Sequence, residues 1–359
     1  MNSPQPEIKI FTAKELRAWL NYNKPAEGLS ESVITSARAA AIIHNPYIQD
    51  KDPVAAAVFA PKAGTTPGEP VAFTATFPDK IGGKIYHWFS TLWCHPAHQG
   101  KGYGLLAVGS LCEQFGADSC LDMWGAPETV GIFQFLGHNT TSFPEYRFEP
   151  KHIKRGNLKG EAAYMLNNLQ HLTRTLKKQH VPITTSDNYT LKYVNHIDDD
   201  TYRFIRQNGE NDLIPRTQEM LNWILTQHFK HRTPIMDITP QTNPFDDRDS
   251  RYWMGGVRVL REKQTVGFYI LRNADSELSV KYLYYIPGHS DSVFLSIARH
   301  MDALGNPRFS TRDRQLAEYI SSLNRFDKET VIDVSFSYPN SFILSDTAVS
   351  QGGDGDGFA

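Results

Sequence analysis

The chain has 359 residues, 40% hydrophobic and 21% charged, with a formal net charge of −2 and an isoelectric point near 6.7. That length suits two domains of ordinary size, and the composition is that of a globular protein. The near-neutral charge argues against a nucleic-acid partner or an anionic membrane surface, and no apolar run approaches the ~20 residues of a membrane helix.

The opening Met1-Asn2-Ser3-Pro4 has no basic-then-apolar leader pattern. Residues 8–11 alternate as a short strand, and Thr12 with Glu15 forms a capping-box pair for a helix to residue 20. Ser30 or Ser32 opens a second helix that reaches Ile43. Strands follow at 54–59, 71–77 and 85–94, the first two separated by a proline-rich loop and the last two by a turn holding Gly82-Gly83. A helix is predicted at 105–115, a strand at 119–124, a helix at 128–136 and a strand beginning at 146. Residues 160–178 carry helical spacing, and the domain boundary falls near the polar break that follows. In the second part, strands are predicted at 190–194, 253–260, 265–271, 278–286 and 331–336. Helices are predicted at 198–206, 216–229, 292–304 and 314–323, with a loop at 239–250. Pro96 aligns with Pro287, and Phe115-Gly116 with Leu304-Gly305, at a near-constant offset. The pattern is that of a mixed α/β fold repeated in tandem. The assignment is 1–155 and 187–345 as the two domains, 156–186 as linker helix and boundary, and 346–359 as a flexible, Gly- and Asp-rich tail.

The most informative stretch is His95-Pro96-Ala97-His98-Gln99-Gly100-Lys101-Gly102-Tyr103-Gly104. A strand feeds a glycine-rich turn, which feeds a helix. Glycines let the backbone approach a ligand closely, and the first N–H groups of a helix carry uncompensated positive charge. Together they make an anion site, most often for phosphate. A Walker loop needs Ser or Thr after Gly-Lys, but Gly102 follows Lys101. The dinucleotide pattern G-x-G-x-x-G is not matched either. The order Gln99, Gly102, Gly104, following Leu92-Trp93-Cys94-His95-Pro96, resembles the pyrophosphate loop of the GNAT superfamily of acyl-CoA-dependent N-acyltransferases.

The resemblance implies a tandem pair of GNAT-like domains of α/β class with a mixed sheet. The first would bind acetyl-CoA as cosubstrate, in a gap between its third and fourth long strands. In the second, Pro287-Gly288-His289-Ser290-Asp291 has one glycine and an aspartate, so that copy is degenerate. Gln99, Gly100, Lys101, Gly102, Tyr103 and Gly104 would hold the pyrophosphate. The backbone of Leu92 and Cys94 would bond the pantetheine arm, with the Cys94 N–H polarising the thioester carbonyl. The acid and base positions depart from the family pattern. Ser90 and Trp88 stand where Glu or His is common, and Phe133 replaces the tyrosine that protonates the thiolate. His87 is adjacent but faces away by strand alternation. Asp122 is the nearby carboxylate whose parity can face the cleft, so the catalytic candidates are Asp122 and Ser90. His98 reads as solvent-exposed, His138 as able to reach the acceptor side, and Tyr282, Tyr284 and Tyr285 as core packing.

Cys94, Cys112 and Cys120 lie in apolar runs without metal-ligand spacing. They read as reduced core residues of a cytoplasmic protein without a metal. The reading is acetyl transfer by direct attack of a primary amine, small molecule or peptide, on acetyl-CoA, in a monomer or homodimer. The alternative is an acyl-CoA-binding or sensing protein without catalysis. An aminoacyl-tRNA-dependent transferase of similar architecture fits the net charge poorly.

Overall fold

The computed structural model describes residues 5–22, 29, 34–61, 70–123, 125–150, 188–226, 252–274, 277–304 and 307–355. The first half supplies β1 (Glu7–Thr12), α1 (Ala13–Tyr22), α2 (Ser36–Ile43), β2 (Pro53–Phe59), β3 (Pro70–Ile81) and β4 (Lys84–Cys94). It continues with α3 (Tyr103–Phe115), β5 (Cys120–Met123), α4 (Pro127–Phe135) and β6 (Asn139–Pro150). The second half repeats this order as β7 (Tyr189–Val194), α5 (Asp199–Asn208), α6 (Gln218–Thr226), β8 (Trp253–Arg261), β9 (Gln264–Ala274) and β10 (Glu277–Tyr285). It ends with α7 (Ser290–Ala303), β11 (Arg308–Thr311), α8 (Arg314–Ser322) and β12 (Phe326–Tyr338).

Local chemistry sets the helix ends. Thr12 and Glu15 bond reciprocally, the Thr12 N–H to Glu15 Oε2 at 2.8 Å and the Glu15 N–H to Thr12 Oγ1 at 3.3 Å. The second helix opens at Ser36 and not at Ser30 or Ser32, because Thr35 takes the cap and accepts from the Arg38 N–H. Thr217 caps α6 in the same way, accepting from the Met220 N–H at 3.2 Å. The predicted helix at 160–178, the loop at 239–250 and the linker at 156–186 lie outside the described residues.

The twelve strands of the described residues form one sheet, in the order β1-β2-β3-β4-β5-β12-β6-β11-β10-β9-β8-β7. The final strands of the two halves have changed places. β12 lies against β5, and β6 lies against β11. β6 and β12 pair antiparallel from Asn139–Tyr338 to Pro150–Phe326. This ladder draws β12 out to thirteen residues, where sequence alternation marked only 331–336. The short β11, buried between β10 and β6, was not anticipated from the sequence.

The largest apolar core lies between the halves. Phe77, Trp88 and Leu121 come from the first, Phe204, Trp223 and Tyr282 from the second. Inside it, Asp79 of β3 pairs with Arg216 at 2.5 Å, and their side chains are 0% and 1% exposed. Trp88 Nε1 donates to the same carboxylate oxygen at 3.0 Å, and the guanidinium lies 5.7 Å from the Trp88 ring. Burial opposes the Arg216 charge, but Asp79, Tyr282 and Asp354 together more than offset it and hold the group protonated.

The tail corrects a sequence expectation. From an exposed Val349, residues 350–355 are not a flexible extension but a buried strap between the halves. Val349 bonds the backbone of Asn211 and Leu213, and the Gly353 N–H donates to Lys281 O at 2.7 Å. Arg216 Nη2 donates to Gly353 O and Gly355 O at 3.3 and 3.1 Å, and the Tyr282 hydroxyl donates to Gly353 O at 2.9 Å. The glycines that suggested mobility are required by space. A Cβ on Gly352 would lie 2.3 Å from Val280 O, one on Gly353 2.3 Å from the Tyr282 ring, and one on Gly355 2.7 Å from Met123 Cβ.

Two outcomes follow from this packing. Asp79→Ala leaves Arg216 buried without its carboxylate and lowers the unfolding free energy by about 3–5 kcal/mol in urea titration, while Asp79→Leu with Arg216→Met recovers most of it. Burial also pushes the Asp354 carboxyl up to about 7 against the pull of Arg216 and Arg312, and Asp212 up to about 6. Both exceed the ordinary 3.8, so the native state holds more protons. The stability they supply is full below that value and is lost as pH rises through about 6 to 7. Asp354→Asn therefore flattens the fall in unfolding free energy between about pH 4 and pH 7.

Candidate active site

β4 and β5 are parallel neighbours over two pairs only, His87–Cys120 and Trp88–Leu121. Beyond them β5 turns to β12, with Asp122 opposite Ser337 and Met123 opposite Phe336. From Phe89 onward β4 and β5 part, and a gap opens in the sheet. A bulge in β4 sits at the parting. The register with β3 shifts between Phe73 and Ala75, and Thr91 stands at φ +56°. A β-branched residue with positive φ is a strained outlier, and a bulge bends its strand. The Thr91 hydroxyl donates to Ser90 O at 2.7 Å within this turn. The period-two alternation of 85–94 gave no sign of this feature.

The glycine-rich loop leaves the same end of β4. The His95 N–H donates to Val71 O at 2.8 Å, and the Ala97 N–H to His95 Nδ1 at 3.2 Å. Pro96–His98 form a single 3₁₀ turn. Gln99 Nε2 reaches back to Cys94 O at 3.5 Å, so this side chain braces the loop. Gly100 and Gly102 take φ +75° and +80°, which favour glycine. Gly102 caps α3 without a side-chain bond, and residues 99–102 are exposed. The first-turn N–H groups of α3 thus point into open space beside Lys101. The donor set, the positive helix end and the exposed cation fit a pyrophosphate. Tyr103 is half-buried at the helix start, with its ring 5.8 Å from His98. A Cβ on Gly104 would meet only Ile132 at 3.6 Å and Leu92 at 3.9 Å.

Leu92 packs under α3 and α4, and Cys94 packs beside Ala72 and Ala107. Burial pushes the Cys94 thiol up, partly opposed by Lys101, so it stays a thiol near neutral pH. Cys112 and Cys120 are buried free thiols. Among the described residues no group of three His, Cys, Asp or Glu could hold a metal ion.

The two catalytic candidates lie on opposite faces of the sheet. Ser90 shares the face of Trp88, towards the second half, and is buried. Asp122 shares the face of Cys120, towards α3 and α4. A Cβ on Gly125 would lie 2.6 Å from its Oδ2 and 3.0 Å from Thr129 Cβ, which puts the carboxylate under the first turn of α4. The positive end of that helix suits a carboxylate there.

Phe133 is fully buried, edge-on to Phe89 at 5.2 Å. His138 is buried, with Nε2 3.2 Å from Cys120 O and its ring 5.3 Å from Phe133, and burial lowers its pKa. His87 stacks on Phe115 of α3 at 3.6 Å, facing away from the second half, and burial lowers its pKa to about 4. His98 is half-buried at the loop. Tyr282 and Tyr284 are buried in the core between the halves, while Tyr285 packs with Phe294 on the opposite face.

The second half repeats the parting without the cradle. β10 pairs with β11 from Glu277–Arg308 to Ser279–Ser310 and then leaves it. Its register with β9 shifts between Val280 and Tyr282, and a 3₁₀ turn at Pro287–His289 leads into α7. Here Asp291 sits in the first helical turn, and His289 Nδ1 is 2.9 Å from the Tyr189 hydroxyl. A carboxylate at that position repels an anion.

No family model matches the chain, and no curated protein sequence matches it. Solved structures do. A Pyrococcus horikoshii protein assigned as an acetyltransferase superposes with a TM-score of 0.50 at 11% identity, covering 97% of this chain and 94% of that one. Saccharomyces cerevisiae N-myristoyltransferase with bound myristoyl-CoA gives 0.49 at 11% identity, over 94% and 84% of the two chains. A GCN5-related N-acetyltransferase from Anabaena variabilis gives 0.48 at 10% identity, over 92% and 72%. At such identities the likeness is one of fold. The chain shares the fold of the Pyrococcus horikoshii protein, and its own two halves repeat one order of elements along a single sheet.

Proposed function

We propose that the first half binds an acyl-CoA, acetyl-CoA in the simplest case, and transfers its acyl group to an amine by direct attack. The observation that carries this reading is the uncapped, glycine-turned start of α3 standing at the mouth of the gap between β4 and β5. The pyrophosphate would rest on the N–H groups from Gln99 to Gly104, with Lys101 adding charge. The pantetheine arm would run along the backbone of Leu92 and Cys94 into the gap. The acceptor would enter from the face that carries Ser90. Its nitrogen attacks the thioester carbonyl carbon, the C–S bond breaks, and the amine proton passes through water to solvent. The thiolate takes its proton from water, because Phe133 has none to give. Ser90 would orient the amine or the relaying water. Asp122, on the opposite face under α4, fits a positioning role better than that of a base.

A non-catalytic acyl-CoA-binding protein is the second reading. It is favoured by the buried phenyl ring of Phe133 at the position of the acid.

Acetyl-CoA at a hundred times its Kd should stabilise the protein by about 2.7 kcal/mol, read as a rise in melting temperature. Gly102→Glu should abolish the rise; no rise in the wild type at millimolar acetyl-CoA would exclude the reading. Gly104→Ala should keep or raise stability by up to about 1 kcal/mol, since the helix gains propensity and the Cβ has room. It should nevertheless weaken acetyl-CoA at least tenfold, because the added methyl stands beside Leu92, along which the pantetheine arm would run. Thiol release on adding a panel of primary amines separates the two readings. If transfer occurs, Ser90→Ala should lower kcat about tenfold or more, and Asp122→Asn should act mainly on stability.

A further inference from the structure

The strap occupies the one place in the second half that corresponds to the cofactor gap of the first. The halves correspond through their bulges and 3₁₀ turns. In β4 one extra residue is taken up where Thr91 and Leu92 face the single Thr74, five and four residues before the turn at Pro96. In β10 the extra residue is Lys281, six residues before the turn at Pro287. Lys281 and Leu283 therefore stand where Ser90 to Leu92 stand in the first half. Their backbone groups are bonded to the strap. The Gly353 N–H donates to Lys281 O at 2.7 Å, and the Leu283 N–H donates to Gln351 Oε1 at 3.2 Å.

Across the parting, Arg312 follows β11 directly and donates to Ser350 Oγ and, at 3.1 Å, to Gln351 O. The strap thus fills the opening between β10 and the end of β11. A thin amide chain is what fits there: Gly352 and Gly353 pass so close to Val280 O and the Tyr282 ring that neither has space for a Cβ. The strap then crosses to the first half. Gly355, at φ +66°, comes to rest against Met123, the last residue of β5 beside the first gap. Arg216 holds Gly353 O and Gly355 O there while its other nitrogen binds Asp79.

We propose that residues 349–355 are a built-in stand-in for a pantetheine arm, filling the second half's gap and forming, at Gly355, one wall of the first half's acyl site. The wall rests on the acyl-CoA reading above. A single acyl-CoA binds per chain because the second gap is already taken. Occupancy of the first gap and docking of the strap stabilise each other, since Met123 and Gly355 close the same opening.

The loop before the strap gives access for a test on the folded, full-length protein. Ile343 is 94% exposed, so a protease recognition site placed after it can be cut once the chain has folded. The fragment carrying the strap should stay with the body in size-exclusion chromatography. Calorimetry should give one acetyl-CoA per chain before cutting. Saturating acetyl-CoA should slow release of the fragment about tenfold, a typical size for a coupling between sites. Tyr282→Phe, which removes the hydroxyl's bond to Gly353 O and its contact with Arg216, should speed release about fivefold. A fragment that separates at once after cutting, a release rate indifferent to acetyl-CoA in a sample with normal binding heat, or two acetyl-CoA per uncut chain overturns the proposal. Absence of binding heat overturns the acyl-CoA reading itself, and the proposed wall with it.

Discussion

One buried ion pair joins the three parts of this molecule. Asp79 belongs to the first half, Arg216 to the second, and the carbonyls that share the guanidinium belong to the strap. Such pairs are costly to desolvate and add little net stability over an apolar filling, but they punish any arrangement that leaves one partner alone. Here that property acts on geometry. Trp88, on the strand that opens to form the gap, donates to the same carboxylate. The pair therefore ties the position of the second half to the strand from which the candidate site is built.

The gap depends on where hydrogen bonds stop. Two residue pairs hold β4 to β5, after which β5 bonds β12 on its other side. The bulge at Thr91 turns β4 away at the same level. Neither half alone makes the opening, because β12, which draws β5 aside, is the last strand of the other half.

The sequence carried the order of elements well. Each half runs strand, two helices, three strands, helix, strand, helix, strand, and periodicity with capping residues marked most of these. The loop at 95–104 was legible because glycine spacing and a helix start have a direct chemical meaning. What escaped was non-local. Nothing in residues 139–150 or 326–338 says that the two strands trade sheets, since an alternating strand is silent about its neighbour. The tail misled for a related reason. Gly352, Gly353 and Gly355 have the composition of a mobile linker, and only the walls at Val280, Tyr282 and Met123 reveal that the small residues were needed for close passage. Ser90 stands out by its place in the family pattern and Asp122 by its parity on β5, but the register of His87 with Cys120 and Trp88 with Leu121 sends the two to opposite faces.

The exchange of strands also orders the life of a new chain. When β5 leaves the ribosome its edge lacks a partner, for Asp122 awaits Ser337 and Met123 awaits Phe336. β6 must likewise wait for β11. Contacts so distant along the chain form late, and an unpaired edge exposed meanwhile is open to other strands. The first half therefore cannot mature on its own during synthesis, and its gap takes shape only as the final strand arrives.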